Sequence, residues 1–134
     1  MARFIAFDWG KARTGIAVSD KDCIIASPHS TVPTEDLHSI VEKLVNEEPC
    51  KGLVVGVPGL IIGTTTDSSN GISKFINHLN TKYPDLTVHQ IDESETSSEA
   101  LEAMISGGLK KSKRREKGSI DKVAATLILQ RFLQ

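Results

Sequence analysis

Cysteine is scarce in this 134-residue chain, which holds only Cys23 and Cys50. They have neither CxxC spacing nor a cysteine-rich frame, so neither a disulfide scaffold nor a zinc site is indicated and two half-buried thiols are expected. No apolar stretch approaches the ~20 residues needed to cross a bilayer. The segment MARFIAFDWG meets an acid before a signal-peptide hydrophobic region could form, which points to a cytoplasmic address. Repeats, linkers and low-complexity segments are missing too. With 39% apolar and 25% charged residues the composition is that of an ordinary soluble domain, and the length fits one core spanning residues 1–134.

Net charge is nearly absent at −1, but the balance hides an asymmetry. From Lys110 to Lys117 the string KKSKRREK carries six bases and one acid, whereas Asp92 to Glu102 carries five acids and no base. A basic loop beside an acidic cluster suits a polyanion that carboxylates meet through metal ions. A solvated loop that keeps the protein soluble is the simpler reading of the same run.

Along the chain, RFIAFDW, RTGIAVSD and CIIASP read as three short strands punctuated by Gly10, Asp20 and Pro28, a β-meander. From Thr34 the period becomes helical, with Leu37, Ile40, Val41, Leu44 and Val45 on one stripe and Glu35 and Asp36 in the first turn. The unalternating run GLVVGVP predicts a central strand covered on both faces. A second helical stripe follows at Ile72, Phe75, Ile76 and Leu79, then a break at Pro84 and the strand LTVHQID. Thr96 and Glu99 have capping-box spacing ahead of Leu101, Met104 and Ile105, which predicts a third helix ended by Gly107 and Gly108. The stripe Ile120, Val123, Ala124, Leu127, Ile128 and Phe132 predicts a last one. Three meandering strands followed by alternating units predict an α/β fold, a mixed five-stranded sheet flanked by helices with right-handed crossovers.

If the first, fourth and fifth strands are parallel, their carboxyl ends share one edge, where open α/β sheets bind ligands. Asp8 ends the first, Asp92 and Glu93 end the fifth, and Asp121 opens the last helix. Singly, each has a plain reading as a turn, cap or surface acid. Asp8 stands apart because it directly follows a strongly apolar strand, where a charge is costly unless paired or metal-bound. Carboxylates suit Mg²⁺ or Mn²⁺, and two such ions ~3.5–4 Å apart can activate a water and stabilise the leaving oxygen in phosphodiester hydrolysis. That chemistry needs no nucleophilic side chain, consistent with the lack of a Ser-His-Asp or Cys-His arrangement.

FDWGKARTGIAVSD, VVGVP, DESETSSEA and IDKVAATLILQRFL, in this order and spacing, resemble the YqgF/RuvX family. These are Holliday junction resolvase-like proteins associated with processing of pre-16S ribosomal RNA. The resemblance runs almost from end to end. It implies an RNase H-like fold and a Mg²⁺- or Mn²⁺-dependent nuclease, with the three family acids falling on Asp8, Glu93 and Asp121 and Asp92 as a neighbouring or alternate ligand. Gly10 would let a phosphate approach the backbone closely, unless it is a plain turn glycine. Lys11, Arg13, Lys113, Arg114 and Arg115 become candidates to contact the nucleic-acid backbone, with solvated bases as the simpler alternative.

The chain departs from the family at Trp9, where members often carry Tyr, at Ser94, where they carry Arg, and at Ile62, where an Asp precedes Gly63. Trp9 could stack on an unpaired base, although packing is the commoner role of an aromatic beside a strand. With aromatics at 4%, binding should lean on phosphates and shape. Precursor rRNA, with a pre-ribosomal particle as a further partner, is the preferred substrate and a four-way DNA junction the alternative; either a monomer or a homodimer is compatible with the sequence. Rival readings are a non-catalytic nucleic-acid-binding module and the phosphate loop of actin-like ATPases, which need a second such domain.

Overall fold

The computed structural model describes residues 2–57, 67–92 and 119–133, apart from the side chains of 67–69, 92 and 119–122. Five strands form one sheet: β1 (Arg3–Asp8), β2 (Arg13–Ser19), β3 (Ala26–Pro33), β4 (Cys50–Val57) and β5 (Thr87–Asp92), in the order β3-β2-β1-β4-β5. The β1–β2 and β2–β3 pairs are antiparallel, whereas β1–β4 and β4–β5 are parallel, as the meander and crossovers predict. A 3-10 turn (Thr34–Asp36) leads into α1 (Leu37–Glu47), α2 (Asp67–Lys82) links β4 to β5, and α3 (Ser119–Leu133) closes the described chain. Among the described residues no helix is long and apolar enough to cross a membrane.

The alternation of β1 sorts the core into two layers. Ile5 and Phe7 meet Leu37, Val41 and Leu44 of α1 and Ile72, Phe75 and Leu79 of α2 on one face. Phe4 and Ala6 meet Ala125, Ile128 and Leu129 of α3 on the other. β4 is buried from Gly52 to Val57, which explains its unbroken apolar run, but the middle strand of the sheet is β1.

Two ties fix the start of β1. The buried Arg3 guanidinium pairs with Glu48 at 2.6 Å, just past the end of α1, and the Phe4 amide donates to the Ser19 hydroxyl at 2.8 Å.

Two expectations need correction. The run CIIASP does not form a strand from its start: Cys23 sits at φ 57°, and Ile24 and Ile25 are 72% and 61% exposed. The cause is Asp20, whose carboxylate accepts from the amides of Ile24 at 2.7 Å and Ile25 at 2.8 Å, so a side-chain-built turn overrides β propensity. The strand forms instead over the more polar Ala26–Pro33, at the sheet edge, where Pro28 and Pro33 are tolerated. The second correction concerns α3. Its fully buried residues are Ala124, Ala125, Ile128 and Leu129, whereas Val123 and Leu127 are only half-buried. The helix is apolar on most of its circumference, so spacing alone misjudges its phase, and the two alanines let it lie close on the sheet. The expected helix at 96–105 and its glycine stop fall outside the described residues.

Candidate metal and nucleic-acid site

The parallel register aligns the carboxyl ends of three strands on one edge. Phe7 is opposite Val55 on β4, and Val57 is opposite Asp92 on β5, so Asp8 and the end of β5 flank the end of β4. Asp8, half-buried and directly after the fully buried Phe7, falls in phase with Phe4 and Ala6, on the face covered by α3.

The two partner acids are placed by backbone and register. On β5, His89 and Ile91 lie on the α3 face: His89 has its ring 4.5 Å from Phe132, and Ile91 packs with the α3 cluster. Position 121 has helical spacing to Ala124, Ala125 and Ile128, the stripe by which α3 meets the sheet. Phe132, near the carboxyl end of α3, touches Phe4 near the start of β1 with ring centroids 4.8 Å apart. The helix therefore begins away from that end of the strand. The side chains of Asp92 and Asp121 and the whole of Glu93 lie outside the described residues, as do Lys113, Arg114 and Arg115. Among the described residues no group of three His, Cys, Asp or Glu is close enough to hold a metal. Asp8 alone of the three acids is described in full, and its hard oxygen ligands match Mg²⁺ or Mn²⁺ in chemistry.

The turn after Asp8 carries the other expected contacts. Gly10 has a structural reason to lack a side chain, since a Cβ there would run into the carbonyl oxygen of Arg13. Its own carbonyl accepts from the Thr34 hydroxyl at 2.5 Å, and the Thr34 amide donates to Ala12 at 3.1 Å. Thr14 and Thr34 share a hydroxyl hydrogen bond at 2.9 Å. The turn is thereby pinned to the entrance of α1, and Lys11 and Arg13 are held, exposed, on the same edge as Asp8. Thr34 escaped the sequence reading because its partners are 20 and 24 residues away.

Trp9 turns to the opposite face, and its indole seats on Gly71 of α2, where a Cβ would overlap ring atoms Cη2, Cζ2 and Cζ3. Beside it runs a groove of about 220 Å³ lined by Trp9, Thr34, Leu37, His38, Gly71, Lys74, Phe75 and His78. The His38 and His78 rings are 3.9 Å apart. Burial, with the charges of His38 and Lys82 behind it, holds the pKa of His78 below the usual histidine range. The two histidines lie on different helices 40 residues apart, a proximity that no local sequence signal carries.

The family model described as "RuvX: Holliday junction resolvase" matches residues 2–134. A Phocaeicola vulgatus protein named "Putative pre-16S rRNA nuclease" is 42% identical over 134 residues, covering 100% of this chain and 96% of the relative. A protein of the same name from Christiangramia forsetii is 40% identical over 133 residues, covering 99% and 98%. Among solved structures, T. thermophilus RuvC in complex with Holliday junction substrate superposes with a TM-score of 0.60 at 16% identity, covering 99% of this chain and 94% of that one. Fowlpox virus resolvase with junction DNA gives 0.61 at 10% identity, covering 98% and 96%. At such identities the structural likeness speaks for the fold, which is RuvC-like and RNase H-like.

Proposed function

This chain belongs to the RuvX family, and from that premise we propose that it is a divalent-metal-dependent endonuclease that trims the 5′ end of pre-16S rRNA during ribosome biogenesis in the cytoplasm. The carrying observation is Asp8. It ends the middle strand of the sheet on the face under α3, at the same edge as the end of β5, where carboxylates from separate segments can meet. His89 and Ile91 lie on the α3 face, so the alternation of β5 puts position 92 on the other one, and the family resemblance supplies Glu93 as the second ligand. Position 121 belongs to the stripe of α3 that meets the same face. Asp8, Glu93 and Asp121 would hold Mg²⁺ or Mn²⁺. When bound, a pair of such ions lowers the barrier by neutralising charge on the attacking and leaving oxygens.

The protein's own part is positioning. Thr34 fixes the Gly10 turn, so Lys11 and Arg13 are presented beside Asp8 to contact phosphates. Lys113, Arg114 and Arg115, a few residues ahead of Asp121 in the sequence, would add further phosphate contacts. One domain of this kind supplies all the groups that the reaction requires, with the pre-ribosomal particle as the body that presents the RNA.

A four-way DNA junction is the second reading, favoured by the description of the matching family and by the fold shared with resolvases. The test is cleavage of a pre-16S 5′ leader RNA and of a four-way junction by purified protein with Mn²⁺, beside Asp8→Asn. This substitution removes a charge and almost no volume, so its circular dichroism spectrum should match the parent and show the fold intact. RNA cleavage lost in the variant is the expected result, junction cleavage lost in the variant favours the resolvase, and full activity in the variant removes Asp8 from the mechanism.

A further inference from the structure

Asp8 ends β1 and Trp9 directly follows it, yet the two fall on opposite faces of the sheet: Asp8 is in phase with Phe4 and Ala6, and Trp9 packs with the cluster of Phe7, Leu37 and Phe75. The α3 face receives the acid, and the groove between the end of β1, α1 and α2 receives the indole. This groove has an apolar floor of Trp9, Leu37 and Phe75, and its polar lining is Thr34, His38, Lys74 and His78, with no carboxylate among the described residues. Its electrostatic character is therefore suited to an anion, and its floor to a flat apolar ring. At about 220 Å³ it is below the ~300 Å³ at which pockets for drug-sized ligands begin, which matches one aromatic heterocycle and excludes a base pair.

We propose that this groove is a nucleotide subsite: a single unpaired base of the RNA strand lies against Trp9, and Lys74 meets the phosphate attached to it. The proposal rests on the nuclease reading above and adds to it the recognition of one base at a fixed offset from the cut. Side chains of adjacent strand residues leave the backbone in opposite directions, so a base on Trp9 belongs to a nucleotide flanking the phosphate at Asp8. His38 and His78, paired at 3.9 Å on the groove wall, are placed to exchange hydrogen bonds with the base edge. The seat on Gly71 limits the freedom of the indole before a base arrives, so little ordering cost is left for binding.

Trp9 is the one tryptophan of the chain, so its emission reports this groove alone. The experiment titrates the full chain, in chelator to prevent cleavage, with decamers of adenylate, of uridylate and of abasic ribose phosphate. Binding is followed in parallel by the anisotropy of a labelled decamer. At least one base-bearing decamer should quench Trp9, whereas the abasic one should bind without quenching. Trp9→Leu should weaken base-bearing RNA by about 5- to 160-fold, the range for losing one base–aromatic stack, and leave the abasic affinity unchanged. Lys74→Ala, at an exposed position of α2, should weaken both kinds of decamer severalfold and keep the quench at saturation, which preserves the test if the Trp9 variant does not fold. RNA binding by anisotropy with unmoved Trp9 emission, or equal quenching by the abasic decamer, would overturn the subsite and leave the nuclease reading standing. No binding of any decamer, together with no cleavage of the leader RNA, would remove both.

Discussion

Replacing Gly71 by alanine puts two effects of opposite sign in competition at the seat of Trp9. Gly71 lies inside α2, where alanine is the better helix former by about 1 kcal/mol. Against that, the new Cβ would overlap Cη2 of the indole and lie 2.6 and 2.7 Å from Cζ2 and Cζ3, where ~3.5–4.0 Å is the comfortable carbon–carbon distance. The indole is packed against the cluster of Phe7, Leu37 and Phe75 and must shift by about an ångström or more, an overpacking that costs roughly 1–3 kcal/mol. Gly71→Ala should thus destabilise the protein by about 0–2 kcal/mol. In a Trp9→Leu background the obstacle is gone and the same substitution should stabilise by up to about 1 kcal/mol. Urea unfolding followed by circular dichroism on the four proteins of this cycle gives a coupling energy, expected at roughly 1–3 kcal/mol. A coupling below about 0.3 kcal/mol, within the additivity of independent sites, would refute the seating of the indole on Gly71 and weaken the case for the groove beside it.

Three further outcomes follow from other parts of the molecule. Glu48→Gln leaves the Arg3 guanidinium, 9% exposed, without its ionic partner; since Glu48 is itself 43% exposed, the loss should be about 1–2 kcal/mol, between exposed and buried pairs, and an unchanged urea midpoint would show that the pair is idle. His78 has a folded pKa below its ordinary 6.5, so the unfolded chain takes up the proton first as pH falls, and the stability His78 confers is present above pH ~6.5 and is lost below it. The fall in Tm between pH 7.5 and pH 5 should be shallower in His78→Gln, with an identical slope excluding the effect. Neutralising Lys113, Arg114 and Arg115 together should flatten the plot of log affinity for single-stranded RNA against log salt by about 2, and an unaltered slope would return these residues to a solubility role.

The fold was legible where one physical signal dominated. The unalternating GLVVGVP could only be a strand covered on both faces, and Ile72, Phe75, Ile76 and Leu79 had one helical phase available; all four are buried. It was illegible where local chemistry competed with pattern. Ile24 and Ile25 look like strand residues, but the Asp20 carboxylate captures both of their amides and turns them outward, its pKa held low by those same N–H groups, Ile25's foremost. On α3 the difficulty was excess of signal, because a helix apolar on nearly all sides does not declare which side faces the sheet. For the site, sequence placed Asp8 at the carboxyl edge of the sheet from the expected parallel order of the first, fourth and fifth strands, and it located Gly10, Lys11 and Arg13 on the turn that follows. It had no means of finding Thr34, His38, Lys74 and His78, whose proximity to Trp9 exists only after α1 and α2 have packed.

The same packing bears on how a nuclease with 4% aromatics could choose a cleavage position. On the proposed reading, phosphate contacts from Lys11, Arg13 and the basic loop would fix register along a strand but would carry no base identity. Identity requires a ring surface with polar groups at its rim, held at a constant distance from the acid that acts on the phosphate. The last residue of a rigid strand and the residue that follows it satisfy the distance condition with no further machinery. Asp8 is hydrogen-bonded into the middle of the sheet opposite Gly15, and Trp9 is braced on a helix that the same sheet supports. A base on Trp9 and a phosphate brought to Asp8 by a metal ion would therefore keep a fixed separation. Loosening the brace should show this directly: in Gly71→Ala the displaced indole predicts weaker base-bearing RNA binding and cleavage at several neighbouring phosphates in place of one. Cleavage of the same single phosphate with unchanged affinity would mean that the cut is positioned by the particle presenting the RNA and not by this groove.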